Sequence, residues 1–128
     1  APGGRLIVVD DHPLSDRVRS SAQGDALVMD QGVADEGAGV VRRHRTSGSY
    51  VDRLSQVTTP VHYRWHHSIS NLTCSITGAG FEIVDFHDFP FAHYKRFPHF
   101  ILRSDRYYEP SQAPPCPLMF SLLAKKAT

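Results

Sequence analysis

Apolar positions fall in separated groups along the chain, and each group has its own period. The first is Leu6-Ile7-Val8-Val9, four consecutive apolar residues with no polar position between them. A run apolar on both faces predicts a strand buried on both sides, the pattern of parallel strands in α/β sheets. Pro2-Gly3 suits the centre of a type II turn before it, and Asp10-Asp11-His12-Pro13 ends it. Residues 15–62 show no sustained period. "ALVMD" reads as a short strand or a helical turn, and "GVADEGAGVVRRHRTSGS" reads as a mobile loop, so the interval is expected to be an irregular insertion or lid. From residue 63 the pattern sharpens. Trp65, Ile69, Leu72, Ile76 and Ala79 recur at helical spacing, with Ser68 as N-cap and Gly80 as stop. "FEIVDFHDF" predicts a strand over Phe81–Phe89, a long aromatic and Pro-rich connection follows, and "PLMFSLLAKK" predicts the last strand.

The order is strand, irregular segment, helix, strand, loop, strand, which predicts an α/β protein. Three strands leave the edge of Leu6–Val9 unpaired, and an unpaired apolar edge invites association. Either other strands belong beside it or it self-associates.

Composition changes this picture little. A chain of 128 residues with 41% hydrophobic residues is expected to form one domain. A net charge of +1 gives no general attraction to nucleic acid or to membranes. Cys74 and Cys116 are too few for a disulfide framework; Cys74 reads as a buried thiol in a helix, and a reducing, cytoplasmic setting is expected. No run has the apolar length of a membrane span.

Three blocks, "PGGRLIVVDDHP", "YRWHHSISNLTCSITGAGFEIVDFHDFPF" and "PLMFSLLAKK", together resemble the C-terminal half of class I S-adenosylmethionine-dependent methyltransferases acting on small molecules. The resemblance covers about two-thirds of the chain and departs from it over residues 20–49. It implies a Rossmann-like fold represented by strand 5, a helix, strand 6 and an antiparallel strand 7 between them. The domain would then comprise residues 1–14 as buried strand and strand-end site, 15–62 as insertion, and 63–128 as C-terminal unit. It also implies S-adenosylmethionine as cofactor and a small-molecule methyl acceptor as partner. The family's glycine-rich loop and acidic ribose ligand have no match here, so no cofactor-binding residue is assigned. Gly78–Gly80 has the place of a helix stop, and "GVADEGAG" lacks the dinucleotide spacing. This chain is therefore expected to bind the cofactor weakly or not at all and to be inactive alone, its partner a missing N-terminal half.

Ligands of open α/β sheets sit beyond the carboxyl ends of the strands, which points to Asp10, Asp11 and His12. His12 has the pKa of a general base, although it also simply ends the strand. His66 and His67 at the helix start are held toward the neutral form by the helix dipole and could face an acceptor, or be surface residues. Phe91 and Tyr94 could wall an apolar acceptor pocket, or belong to a core under the loop. Two other classes compete. His62, His66 and His67 cluster as metal ligands do, but without a third ligand of defined spacing. "HYKRFPHFILRSDRYY" mixes bases and aromatics as nucleic-acid grooves do, against a near-neutral total charge. A non-catalytic remnant or interaction module shares the fold reading without the activity.

Overall fold

The computed structural model describes residues 3–29, 41–45, 58, 61–65, 67–112 and 116–127. Its elements are β1 (Arg5–Asp11), a 3-10 turn (Pro13–Arg17), β2 (Val18–Ser20), β3 (Leu27–Met29), β4 (Val41–Arg45), β5 (Val61–Trp65), α1 (Ile69–Gly78), β6 (Phe81–Phe89), β7 (Phe100–Leu102), β8 (Tyr108–Pro110) and β9 (Met119–Lys126). They fall into two compact units, residues 34–67 and the remainder. Residues 34–67 contain the antiparallel pair β4–β5.

The larger unit is organised by its last strand. β9 lies between β1 and β6 and runs antiparallel to both. β2–β3 and β7–β8 are separate antiparallel hairpins. Among the described residues every strand pair is antiparallel and there is one α-helix, so the expected Rossmann-like α/β fold is overturned: this is a β-rich protein of small antiparallel sheets.

The physical reason lies in β1. Its residues alternate between solvent and protein, and Ile7 and Val9 are 70% and 61% exposed. The apolar run is therefore not a two-sided buried strand. Only its even positions pack inward: Leu6 and Val8 lie against Phe120, Leu122 and Ala124 of β9. Ile69, Leu72 and Ile76 of α1 join the same cluster, with Phe81, Ile83 and Phe86 from β6. Phe86 and Phe120 stack with centroids 5.7 Å apart.

The helix starts at its cap, not before it. Ser68 Oγ accepts from the Asn71 amide at 3.0 Å, satisfying one of the amides left over at a helix start. Trp65 matched the helical spacing but lies in β5, so the expected helical face is shorter by its first member. Val61, Tyr63 and Trp65 alternate with His62 and Arg64, and that period of two is the strand signal the helical match concealed. At the other end Gly80 takes φ +77°, and a Cβ there would meet Lys126 Nζ at 2.9 Å. A glycine is required for the chain to leave α1 and enter β6.

The long connection after β6 is ordered by a second cluster. Ala92, Phe100 and Leu118 are buried together, with Leu27, Phe97, Tyr108 and Cys116 against them. Burial pushes the Cys116 thiol up and so makes it less reactive. Cys74, expected to be buried, is exposed.

One-sided burial has a measurable consequence. Leu122 is 1% exposed, and Leu122→Ala is expected to cost about 2–5 kcal/mol in denaturant unfolding. Ile7→Ala, at low protein concentration, is expected to stay within about 0.5 kcal/mol of the parent. Equal losses at both positions would show a strand buried on both faces.

Candidate acid–base site at the end of β1

β1 and β6 share β9 as partner, and both finish opposite Met119. Being antiparallel to the same strand, they point the same way, so the segments that follow them emerge at one end of the sheet. Asp11 and His12 leave β1 there, and residues 90–99 leave β6 there.

His12 closes β1. Its amide donates to the Leu118 carbonyl at 2.8 Å, and Pro13 then prevents another ladder bond. Its side chain caps the 3-10 turn: Nδ1 accepts from the Leu14 amide at 3.1 Å. In the neutral ring an accepting Nδ1 leaves the proton on Nε2, which faces Asp88 Oδ1 at 3.6 Å. Burial lowers the His12 pKa, opposed by the Asp88 carboxylate. His12 is thus a neutral cap with both nitrogens engaged. Taking a proton on Nδ1 would cost the bond to Leu14, so the expected base is held in a structural role.

The acid–base character lies next to it. Burial raises the Asp11 pKa; Arg96 and His93 act against this, while Asp10 and Asp16 add to it. Asp11 Oδ1 is buried without a hydrogen bond and faces His93 Nδ1 at 3.6 Å. Its other oxygen faces Arg96 Nη1 at 3.7 Å. Arg96 also donates to Ser15 Oγ at 2.9 Å and to Asp16 Oδ1 at 3.1 Å. Ser15 is fully buried, and its amide donates to the His12 carbonyl at 2.7 Å. One guanidinium therefore fastens the loop after β6 to the turn after β1 and offsets two carboxylates. His93 is half exposed, with its ring 4.8 Å from that of Tyr94.

The expected residues separate on this map. Asp11 and His12 belong to the cluster. Asp10 is exposed and accepts from the Asp11 amide at 2.8 Å. Tyr94 belongs through His93. Phe91 packs elsewhere, against Phe89 and Tyr107 and under the Arg103 guanidinium. His67 is exposed just before the Ser68 cap, and His66 lies outside the described residues, as does the side chain of His62. Among the described residues no group of three or more His, Cys, Asp or Glu is arranged to hold a metal. Asp88, His93 and Arg96 carry no sequence signal beyond their polar types. Their place follows only from β1 and β6 pointing the same way.

No family model, curated protein or solved structure matches this chain. No helix among the described residues is long and apolar enough to cross a membrane.

Two outcomes test the site's electrostatics. Arg96→Ala removes the guanidinium that Asp11, Asp16 and Ser15 share and is expected to cost about 1–3 kcal/mol of unfolding free energy, with Arg96→Lys recovering only part. His12 supplies a pH effect. An imidazole harder to protonate when folded binds fewer protons in the folded state than in the unfolded chain. Stability is then full above the ordinary histidine value of 6.5 and is lost as pH falls below it toward the lowered folded value. His12→Asn keeps a capping side chain and removes the titration, so its unfolding midpoint should fall less than the parent's over that range. Parallel pH profiles would refute the assignment.

Proposed function

We propose that the chain supplies the acceptor side of a small-molecule methyltransferase, with His93 as the proton acceptor. The observation that carries it is the Asp11–His93 pair. A buried carboxylate facing Nδ1 favours the neutral tautomer with its proton on Nδ1, which leaves the Nε2 lone pair free. A half-exposed ring so oriented can take a proton from a bound O–H or N–H group. Tyr94 beside it offers an aromatic surface for the acceptor, and Arg96 offsets the charge of Asp11 and Asp16, which would otherwise disfavour negative charge developing on the acceptor as it loses its proton. The choice of methyl transfer as the reaction served comes from the three sequence blocks.

The described residues do not fit S-adenosylmethionine. Gly24 lies in the turn joining β2 to β3, and Gly80 is a helix stop packed against Lys126. Neither opens a helix after a strand, the arrangement that holds a nucleotide-like cofactor. No step is therefore assigned to the cofactor within these residues, and His93's part is limited to the acceptor's proton.

Nitrogen-15 NMR of the histidine rings tests the base directly. The expected result is His93 with its proton on Nδ1 and a bare Nε2, a preference lost in Asp11→Asn. The opposite tautomer in the parent would remove His93 as base. Titration with phenol, catechol and benzylamine as acceptor probes should shift the resonances of Asp11, His93 and Tyr94. Shifts confined to other regions, or none, would contradict the reading. Calorimetry with S-adenosylmethionine is expected to show no micromolar binding, and micromolar binding would place a cofactor site in this chain.

A further inference from the structure

The two outer edges of the three-stranded sheet are built differently. β6 carries a bulge between Ile83 and Asp85 and bears Glu82, Asp85, His87 and Asp88. Bulges and charges are the usual means of keeping an edge strand from pairing. β1 has neither device in its middle: its register against β9 is continuous, and Leu6–Val9 is wholly apolar.

The backbone shows which groups β1 leaves open. The His12 amide donates to Leu118, and Gly4 accepts from Lys126, so even-numbered positions turn their backbone toward β9. Arg5, Ile7, Val9 and Asp11 therefore turn theirs outward. Among the described residues no strand pairs with this edge. The Asp11 amide there is covered by Asp10 Oδ1. The side chains of Ile7 and Val9, on the face away from α1, are exposed.

We propose that β1 is the pairing edge of a homodimer, in which two copies join antiparallel about a two-fold axis at Val8. The sequence of the strand is self-complementary in that register alone. Arg5 falls opposite Asp11 of the second copy, and Leu6 opposite its Asp10. Ile7 falls opposite Val9, so their outward backbone groups bond in pairs while their side chains form apolar cross-strand pairs on the open face. Strands sliding two residues either way put Arg5 opposite Val9, or Ile7 opposite Asp11; each loses the charge match and keeps one apolar pair on that face in place of two. A cation at one end of the strand and anions at the other give a pairing that closes with two-fold symmetry and does not continue into a fibre. The result is one sheet of six strands made from two of three. The inference is independent of the methyltransferase reading and can fail without it.

Sedimentation equilibrium of the chain is the test. A reversible dimer is expected. Val9→Lys and Arg5→Glu should each raise its dissociation constant about tenfold or more, since each sets a like charge or a lone charge against the partner strand. Val84→Lys, on the bulged edge, should leave it unchanged; Val84 is 57% exposed and tolerates the substitution. A second measurement needs no variant. Amide exchange at Ile7 and Val9 should slow as protein concentration rises, while exchange on the outer edge of β6 stays constant. A monomer at every concentration would overturn the proposal. So would a dimer that Val84→Lys weakens and Val9→Lys does not.

Discussion

The pairing of β9 with both β1 and β6 is the constraint on which the rest depends. β9 supplies Phe120, Leu122 and Ala124, three of the four buried residues of the larger cluster. It also decides direction. Because β1 and β6 are each antiparallel to β9, residues far apart in the chain leave the sheet at the same end. Arg96 reaches Ser15 and Asp16 across 81 and 80 positions of sequence for that reason alone. Without β9 in the centre there is neither a packed sheet nor a meeting of Asp11 with His93.

The site is tuned by burial more than by pairing. Desolvation is the largest influence on both Asp11 and His12, and it moves both toward the uncharged form. The single guanidinium of Arg96 opposes this for Asp11 and joins two loops as it does so. Such an arrangement makes the carboxylate responsive to its neighbours: removing a cation, or introducing a ligand that displaces water, changes its protonation. His12, by contrast, is fixed by a backbone amide on one nitrogen and faces a carboxylate with the other.

Local elements were legible in the sequence where local chemistry decides them. Ser68 caps α1, Gly80 stops it, and Phe81–Phe89 is a strand with the expected bounds. Features decided by tertiary context were not. The run Leu6–Val9 has the composition of a two-sided buried strand, yet composition does not say whether a second layer exists to cover Ile7 and Val9. A two-sided buried strand implies a Rossmann-like sheet; with one face of β1 open, the sheets are antiparallel instead. Trp65 satisfied a helical spacing and a strand alternation equally, and its pairing partner in β4 settled it. For the site, Asp11 and His12 could be found from their place at a strand end. His93 and Arg96 could not, because nothing in "FAHYKRF" marks which polar residue faces another element.

Cross-strand proton contacts across β9 test the central claim most directly. In an antiparallel sheet, facing α-protons approach closely at the positions whose backbone groups do not bond to each other. Strong α-proton contacts are therefore expected of Leu123 with Ile7 on one side and of Leu122 with Phe86 on the other, in one set of NOE spectra. Finding both would place the last strand between the other two, running against each. The absence of either, or direct contacts between β1 and β6, would contradict the fold and with it the meeting of Asp11 and His93.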